Sequence, residues 1–532
     1  MNTFDYALVA FYLVAMLVLG QLFKKNKASG DYFLGGRQFG WFSLCMSAMA
    51  TQLSVISFVS APAFVGLRKG GGMKWLTFEF GVPLAMIVVM TVIAPSLYKS
   101  NVVSIYSFLE KRFNTLTRLL LSCAFMISRS FATGVTVYAV CLILSSLLHW
   151  SFTQTILVVG FTTVLYSIEG GMKAVVYSEV VQMIIKFLGI IIIIIYGLIN
   201  IGGWSVFKQN LDASRLQAIN FSNFGFDGSE YGFFPMLLGG IFLYCSYYGT
   251  DQIQAQRILS AKDFPTVRKV LLFNGLLRFP ITFMYCMGGL VIGTFVKMNP
   301  NFSAKIPADK SDLMIPVFIE NYLPHGIIGI IVVAIIAAAM SAYSSTLNSL
   351  SAVTMEEFLK RFYTLSDKKY VFYSKVVALI WGVITMVFAF QVGDIAKTVI
   401  EAINKIGSIF YGPILGVFIL AVLTRSAKAQ AVNIGLIVGV AFNIYLWKLQ
   451  PQIFWFWWNV IGFFTTCTIG YFGSLLVRDP KEEEHGELIT RSTPNSFLKT
   501  VSVSDFKMPE VKILIFYFVL IVLISLSLPY LF

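Results

Sequence analysis

Fourteen stretches of this 532-residue chain are long and apolar enough to be read as membrane crossings. No other feature narrows the fold as far. A helix needs about 20 apolar residues to cross the hydrocarbon core, and such runs lie near 4–23, 40–66, 74–98, 117–147, 151–168, 174–199, 232–250, 269–296, 325–354, 370–391, 395–424, 430–448, 452–476 and 511–531. In lipid every backbone N–H and C=O has to be satisfied within the protein, so these runs read as helices. Composition agrees: 57% of the residues are hydrophobic and 12% charged, about half the roughly 25% charge of soluble domains. A disordered chain, a disulfide scaffold and a nucleic-acid binder are excluded. The six cysteines stand singly, with no CxxC. The longest connection is 477–510, so residues 1–532 read as one transmembrane domain.

Loop charge orients the chain. With Met1 outside, the inner connections hold 24 Lys and Arg and the outer ones 9, the bias expected of cytoplasmic loops. The first run lacks a basic leader and an A-x-A site, which predicts a retained helix rather than a cleaved signal peptide. A multi-pass protein of the plasma membrane follows, a bacterial inner membrane being the expected setting.

Function is sought among polar groups at membrane depth, because each is costly there and needs a partner or a task. The second span carries Ser47, Thr51, Gln52, Ser54 and Ser57 ahead of Pro62. Close small-residue packing explains such a run; so does a helix interrupted in mid-membrane, its freed carbonyls facing a cavity. In the ninth span Ser341, Ser344, Ser345 and Asn348 share one helical face, either a packing face or a hydroxyl stripe suited to Na⁺. Glu179, Gln182 and Lys186 share another face, as a neutralised Glu179–Lys186 pair or as a cation or proton site. Arg129, about twelve residues into the fourth span, reads as a structural partner of Glu79 or as a fork for a substrate carboxylate. Lys397, Glu401 and Lys405 recur at i+4 spacing ahead of Gly407, Tyr411, Gly412 and Pro413, which read as a helix break or as an ordinary helix segment.

At these residues the chain resembles the sodium/solute symporter family, whose members have a LeuT-like core. The resemblance rests on Tyr166-Ser167-x-x-Gly170-Gly171-Met172-x-Ala174, on Gln252-x-x-x-Gln256-Arg257, and on the Ala- and Ser-rich span ending Leu347-Asn348-Ser349. The Ala50–Ser57 stretch is most similar to the sialic-acid transporters. What the resemblance implies is an all-α fold with a five-plus-five inverted repeat, its halves at 40–199 and 232–424, one extra helix at 4–23 and three behind at 430–531. It implies Na⁺ as coupling ion, held by the carbonyls of Ala50, Leu53 and Ala338 with the Ser341 hydroxyl. Ala342 stands where the family offers a second hydroxyl. A second Na⁺ site is implied at Glu179, with Ser341, Ser344 and Ser345 opposite. Gln52, Ser54, Ser57, Glu79 and Arg129 fall where these relatives bind solute.

The expected activity is Na⁺-coupled import of a small polar solute by alternating access, a carboxylate such as sialic acid. A sugar or inositol is the alternative. One Na⁺ falling through 100 mV contributes roughly 2.3 kcal/mol, and a tenfold gradient about 1.4. The expected partners are the solute and the bilayer, with no nucleic acid and no obligate protein. A membrane sensor on a transporter fold is the rival of another class, and it calls for a signalling domain after the last span. An enzyme is not expected, since no Ser-His-Asp or metal constellation emerges.

Overall fold

The computed structural model describes residues 1–23, 29–307, 310–391, 399–477 and 507–532. Lys397 and most of the basic 477–510 connection lie outside the described residues, as does the Glu401 side chain. Among the described residues the regular structure is helical. The helices that make up the spans and their breaks are α1 (Thr3–Leu22), α2 (Trp41–Gln52), α3 (Ala61–Gly66), α4 (Met73–Lys99), α5 (Thr115–Leu148), α6 (Phe152–Ile201), α7 (Phe233–Gly249), α8 (Gln252–Leu259), α9 (Phe264–Met298), α10 (Ile327–Phe362), α11 (Asp367–Gln391), α12 (Val399–Leu423), α13 (Ala429–Leu449), α14 (Phe456–Leu476) and α15 (Pro509–Leu531), with shorter helices in the connections. Eleven of these are long and apolar enough to cross a membrane, twelve when the bent pair α2–α3 is taken as one crossing.

The difference from fourteen arises in two places. The runs at 151–168 and 174–199 both fall in α6, whose 50 residues, about 75 Å at 1.5 Å per residue, exceed one crossing and are kinked at Gly171 into two helices. Within it Gly171 adopts φ 55° and ψ −149°, a conformation open essentially to glycine alone. The run at 232–250 forms α7, an apolar helix of 17 residues, shorter than a full crossing.

Two helices are broken in mid-course. After Gln52 the chain leaves helical geometry at Leu53 (φ −85°, ψ 80°), and the Ser54 hydroxyl accepts the Ile56 N–H at 3.3 Å to start the second half. A wide turn at Ile56–Ser60 then leads into α3, which absorbs the missing N–H of Pro62. The two halves meet at 66°. The second break lies between α7 and α8, where Thr250 ends one helix and the Asp251 carboxylate caps the other, accepting the Ile253 N–H at 2.8 Å.

The remaining helices hold these breaks in register. α6 lies against α1, α2 and α10, and α9 packs on α3. That last contact is backbone-close: a Cβ on Gly289 would stand 2.4 Å from the Pro62 carbonyl oxygen. Only glycine allows such an approach, which is how helices associate where lipid supplies no hydrophobic drive.

Candidate functional site

The break in α2 frees carbonyls that an unbroken helix would use. Those of Ala50 and Leu53 point at one spot, and Ser341 of α10 faces it, its Oγ 3.0 Å from Ala50 O and 3.1 Å from Ala338 O. The atoms that the resemblance assigns to Na⁺ therefore converge. What sits among them is the ammonium of Lys186, donating to Ala50 O at 2.6 Å, Leu53 O at 2.9 Å and Ser341 Oγ at 3.0 Å. Lys186 is fully buried. Its pairing with Glu179 is replaced by this seat, two helical turns away along α6. The oxygens that the resemblance assigns to a coupling ion are engaged by the Lys186 amine, and they do not fit Na⁺ at the same time. Ala342 instead lines the neighbouring cavity.

Glu179 is held elsewhere. Its carboxylate accepts from Arg257 of α8 at 2.8 and 2.9 Å and from Thr51 at 2.9 Å. The hydroxyls of Ser47 and Ser345 complete the shell. Arg257 also donates to Ser47 Oγ at 2.9 Å and Thr51 Oγ1 at 2.7 Å. The place that the resemblance assigns to a second Na⁺ thus holds a guanidinium that ties α2, α6, α8 and α10 together. Ser344 lies outside this ring, its hydroxyl bonded to Ser341 O at 3.2 Å.

Two further ion pairs correct the expected partnership of Arg129 with Glu79. Arg129 pairs with Asp251 at the second helix break, donates to the Tyr411 hydroxyl at 2.8 Å, and lies 5.3 Å from the ring centres of both Tyr247 and Tyr411, a cation–π arrangement. Glu79 takes a two-pronged bond from Arg278 of α9, both contacts at 2.9 Å, with Tyr244 and Thr282 as additional donors. Bidentate geometry of this kind is the strong form of the interaction.

A cavity of about 170 Å³ opens beside the two breaks, and its wall includes Gln52, Ser54, Ser57, Arg129 and Arg278. Four of the five residues placed in the solute site are thereby brought together. Glu79 is the exception: it is fully buried behind the wall and spent on Arg278. Arg278 also lines the cavity, and its Nη1 is buried without a hydrogen-bond partner. Tyr248 donates to Gln52 Oε1 and fixes that amide.

Seven ionisable side chains thus surround the cavity and the breaks. Arg129, Arg257 and Arg278 are each matched by a carboxylate, and Lys186 is the unmatched charge. Asp251, Arg257 and Arg278 are not placed in the site from sequence, because their partners come from helices distant in sequence. No group of three or more His, Cys, Asp or Glu able to hold a metal occurs among the described residues.

This architecture matches known proteins. Residues 32–439 match the model of the sodium:solute symporter family. A putative sodium-dependent multivitamin transporter of Drosophila melanogaster is 28% identical over 473 residues, covering 85% of this chain and 76% of the relative. Sodium-coupled monocarboxylate transporter 1 of Xenopus laevis is 27% identical, with 84% and 72% covered. A solved Na⁺-coupled sialic acid symporter, substrate-bound and outward-open with a novel Na⁺ site, superposes with a TM-score of 0.80 at 25% identity, covering 90% of this chain and 98% of that one. The chain has the LeuT-like fold of these transporters, and it is a multi-pass membrane carrier rather than an enzyme. It belongs to the sodium:solute symporter family, a family of Na⁺-coupled carriers of small solutes.

Proposed function

We propose that this chain imports a small organic acid, whose carboxylate binds between Arg278 and Arg129 in the cavity beside the helix breaks. The observation that carries this reading is that two guanidinium side chains, Arg129 and Arg278, line one cavity, and that Arg278 keeps a buried Nη1 donor without an acceptor. An unsatisfied buried donor on a charged group is costly, and a carboxylate oxygen supplies the missing bond. Gln52, Ser54 and Ser57 offer amide and hydroxyl contacts to the rest of the solute. Relatives named for monocarboxylates and sialic acid support an acid over a neutral sugar.

Transport on this reading is alternating access, in which a bundle of helices rocks against the remaining helices. The half-helices α2–α3 and α7–α8 supply the hinges, since their breaks already lack helical hydrogen bonds. The ion pairs Glu179–Arg257 and Arg129–Asp251 join elements of the two repeats and have to move as units or part. The N-terminus lies outside, the inner loops are the basic ones, and a bacterial inner membrane with no obligate protein partner is the setting proposed. The test is a thermal-shift and radiolabel-uptake screen of short monocarboxylates, sialic acid and neutral sugars on the purified full-length chain. Saturable stabilisation and uptake of acids are expected. A response confined to neutral sugars overturns the assignment.

A further inference from the structure

The Lys186 ammonium occupies the position the family gives to its coupling ion. Three oxygens surround it at 2.6–3.0 Å, two of them carbonyls released by the α2 break and the third a hydroxyl from α10. An ammonium needs three acceptors, and Lys186 has three. We propose that Lys186 is the built-in cation of the principal site, bridging the broken helix to α10 as the ion does and excluding Na⁺ for as long as it is seated.

Three observations converge on this. The first is geometric: α6 delivers the side chain to the atoms expected to ligate Na⁺, and Ser341 is shared between Ala50, Ala338 and the ammonium. The second is exclusion. A Na⁺ ion on the same oxygens stands within contact distance of the ammonium, and two unit charges that close repel strongly in a low-dielectric interior. The third is charge accounting. The one carboxylate nearby, Glu179, already accepts from Arg257 Nη2 with both of its oxygens, so no anion is left to offset a second cation. Lys186 and Na⁺ therefore alternate at this site.

The inference concerns the ion, and stands whether or not the solute is an acid. The experiment is ²²Na⁺ binding to the purified full-length chain at constant ionic strength, choline replacing sodium, for wild type, Lys186→Met and Lys186→Met/Ser341→Ala. Methionine keeps the length of the side chain and removes its charge. At least tenfold tighter Na⁺ binding is expected in Lys186→Met than in wild type, complete exclusion from wild type being the limit of the same competition. The added Ser341→Ala change is expected to reverse the gain. If Lys186→Met folds poorly in choline, its thermal unfolding temperature rises with added NaCl and that of wild type does not; Lys186→Gln, which retains donors for the carbonyls, provides a second variant for the same titrations. Equal Na⁺ affinity in wild type and both variants, or weaker binding in the variants, overturns the proposal.

Discussion

Replacing Glu179 by glutamine asks whether its cluster is a structural ion pair or a port for a cation. The carboxylate is fully buried and receives Arg257 at 2.8 and 2.9 Å together with three hydroxyls. Removing one member of a buried pair leaves the other uncompensated, at a cost of about 3–5 kcal/mol. Here the stranded guanidinium keeps Ser47, Thr51 and the Ile253 carbonyl as acceptors. The lower figure, about 3 kcal/mol, is therefore expected for Glu179→Gln. Arg257→Met falls in the same range, since three hydroxyl donors still serve the carboxylate. The double variant is expected to cost about 3 kcal/mol rather than about 6, because the second change removes the charge stranded by the first. Denaturant titrations in detergent, followed by tryptophan fluorescence in choline and in sodium, give these values. Single costs below about 1 kcal/mol, or a double cost equal to the sum, refute the ion-pair reasoning. Loss of Na⁺ binding with little loss of stability in choline makes Glu179 a cation ligand instead.

Arg129→Ala is expected to weaken acid binding at least tenfold, about 1.4 kcal/mol or more, measured by thermal shift or equilibrium binding; unchanged affinity removes Arg129 from the solute site. Gly289→Ala places a Cβ 2.4 Å from Pro62 O, so α3 and α9 are forced apart at a cost of about 1–3 kcal/mol, read as a lower unfolding temperature. An unchanged temperature shows that the contact yields freely.

How much of this was legible in the sequence depends on the range of the interaction. The α2 break was readable because its causes are local: a polar run and a proline in one span. The convergence of Ala50, Leu53, Ala338 and Ser341 followed from the resemblance. The occupant did not, because whether Lys186 meets Glu179 or those carbonyls depends on where α6 is rotated against α2 and α10. Glu179 and Lys186 are seven residues apart, close enough on one face to invite pairing, yet Arg257 arrives from α8 and takes the carboxylate first. Arg129 and Glu79 were paired by elimination, each appearing isolated in its own span. Their partners, Asp251 and Arg278, lie 122 and 199 residues away, beyond any helical periodicity. Periodicity names faces, and only packing decides which charge a face meets.

The surplus charge of Lys186 links the ion site to the solute site. With the three arginines matched and Lys186 seated, the core around the cavity carries one net positive charge, next in sequence and space to residues that line it: Thr51 and Gln52 lie between Ala50 and Leu53. A carboxylate entering the cavity neutralises that surplus, whereas a neutral sugar leaves it in place, so the seated lysine favours an acid before any specific contact is made. Lys186→Met removes the surplus, and Na⁺ on the vacated oxygens restores it. Acid affinity is accordingly expected to be the same in choline and sodium for wild type. In Lys186→Met it is expected to become Na⁺-dependent, falling in choline and recovering as NaCl is titrated in. Equal acid affinity in choline for wild type and Lys186→Met separates the two sites and refutes the linkage, even where the competition between Lys186 and Na⁺ holds.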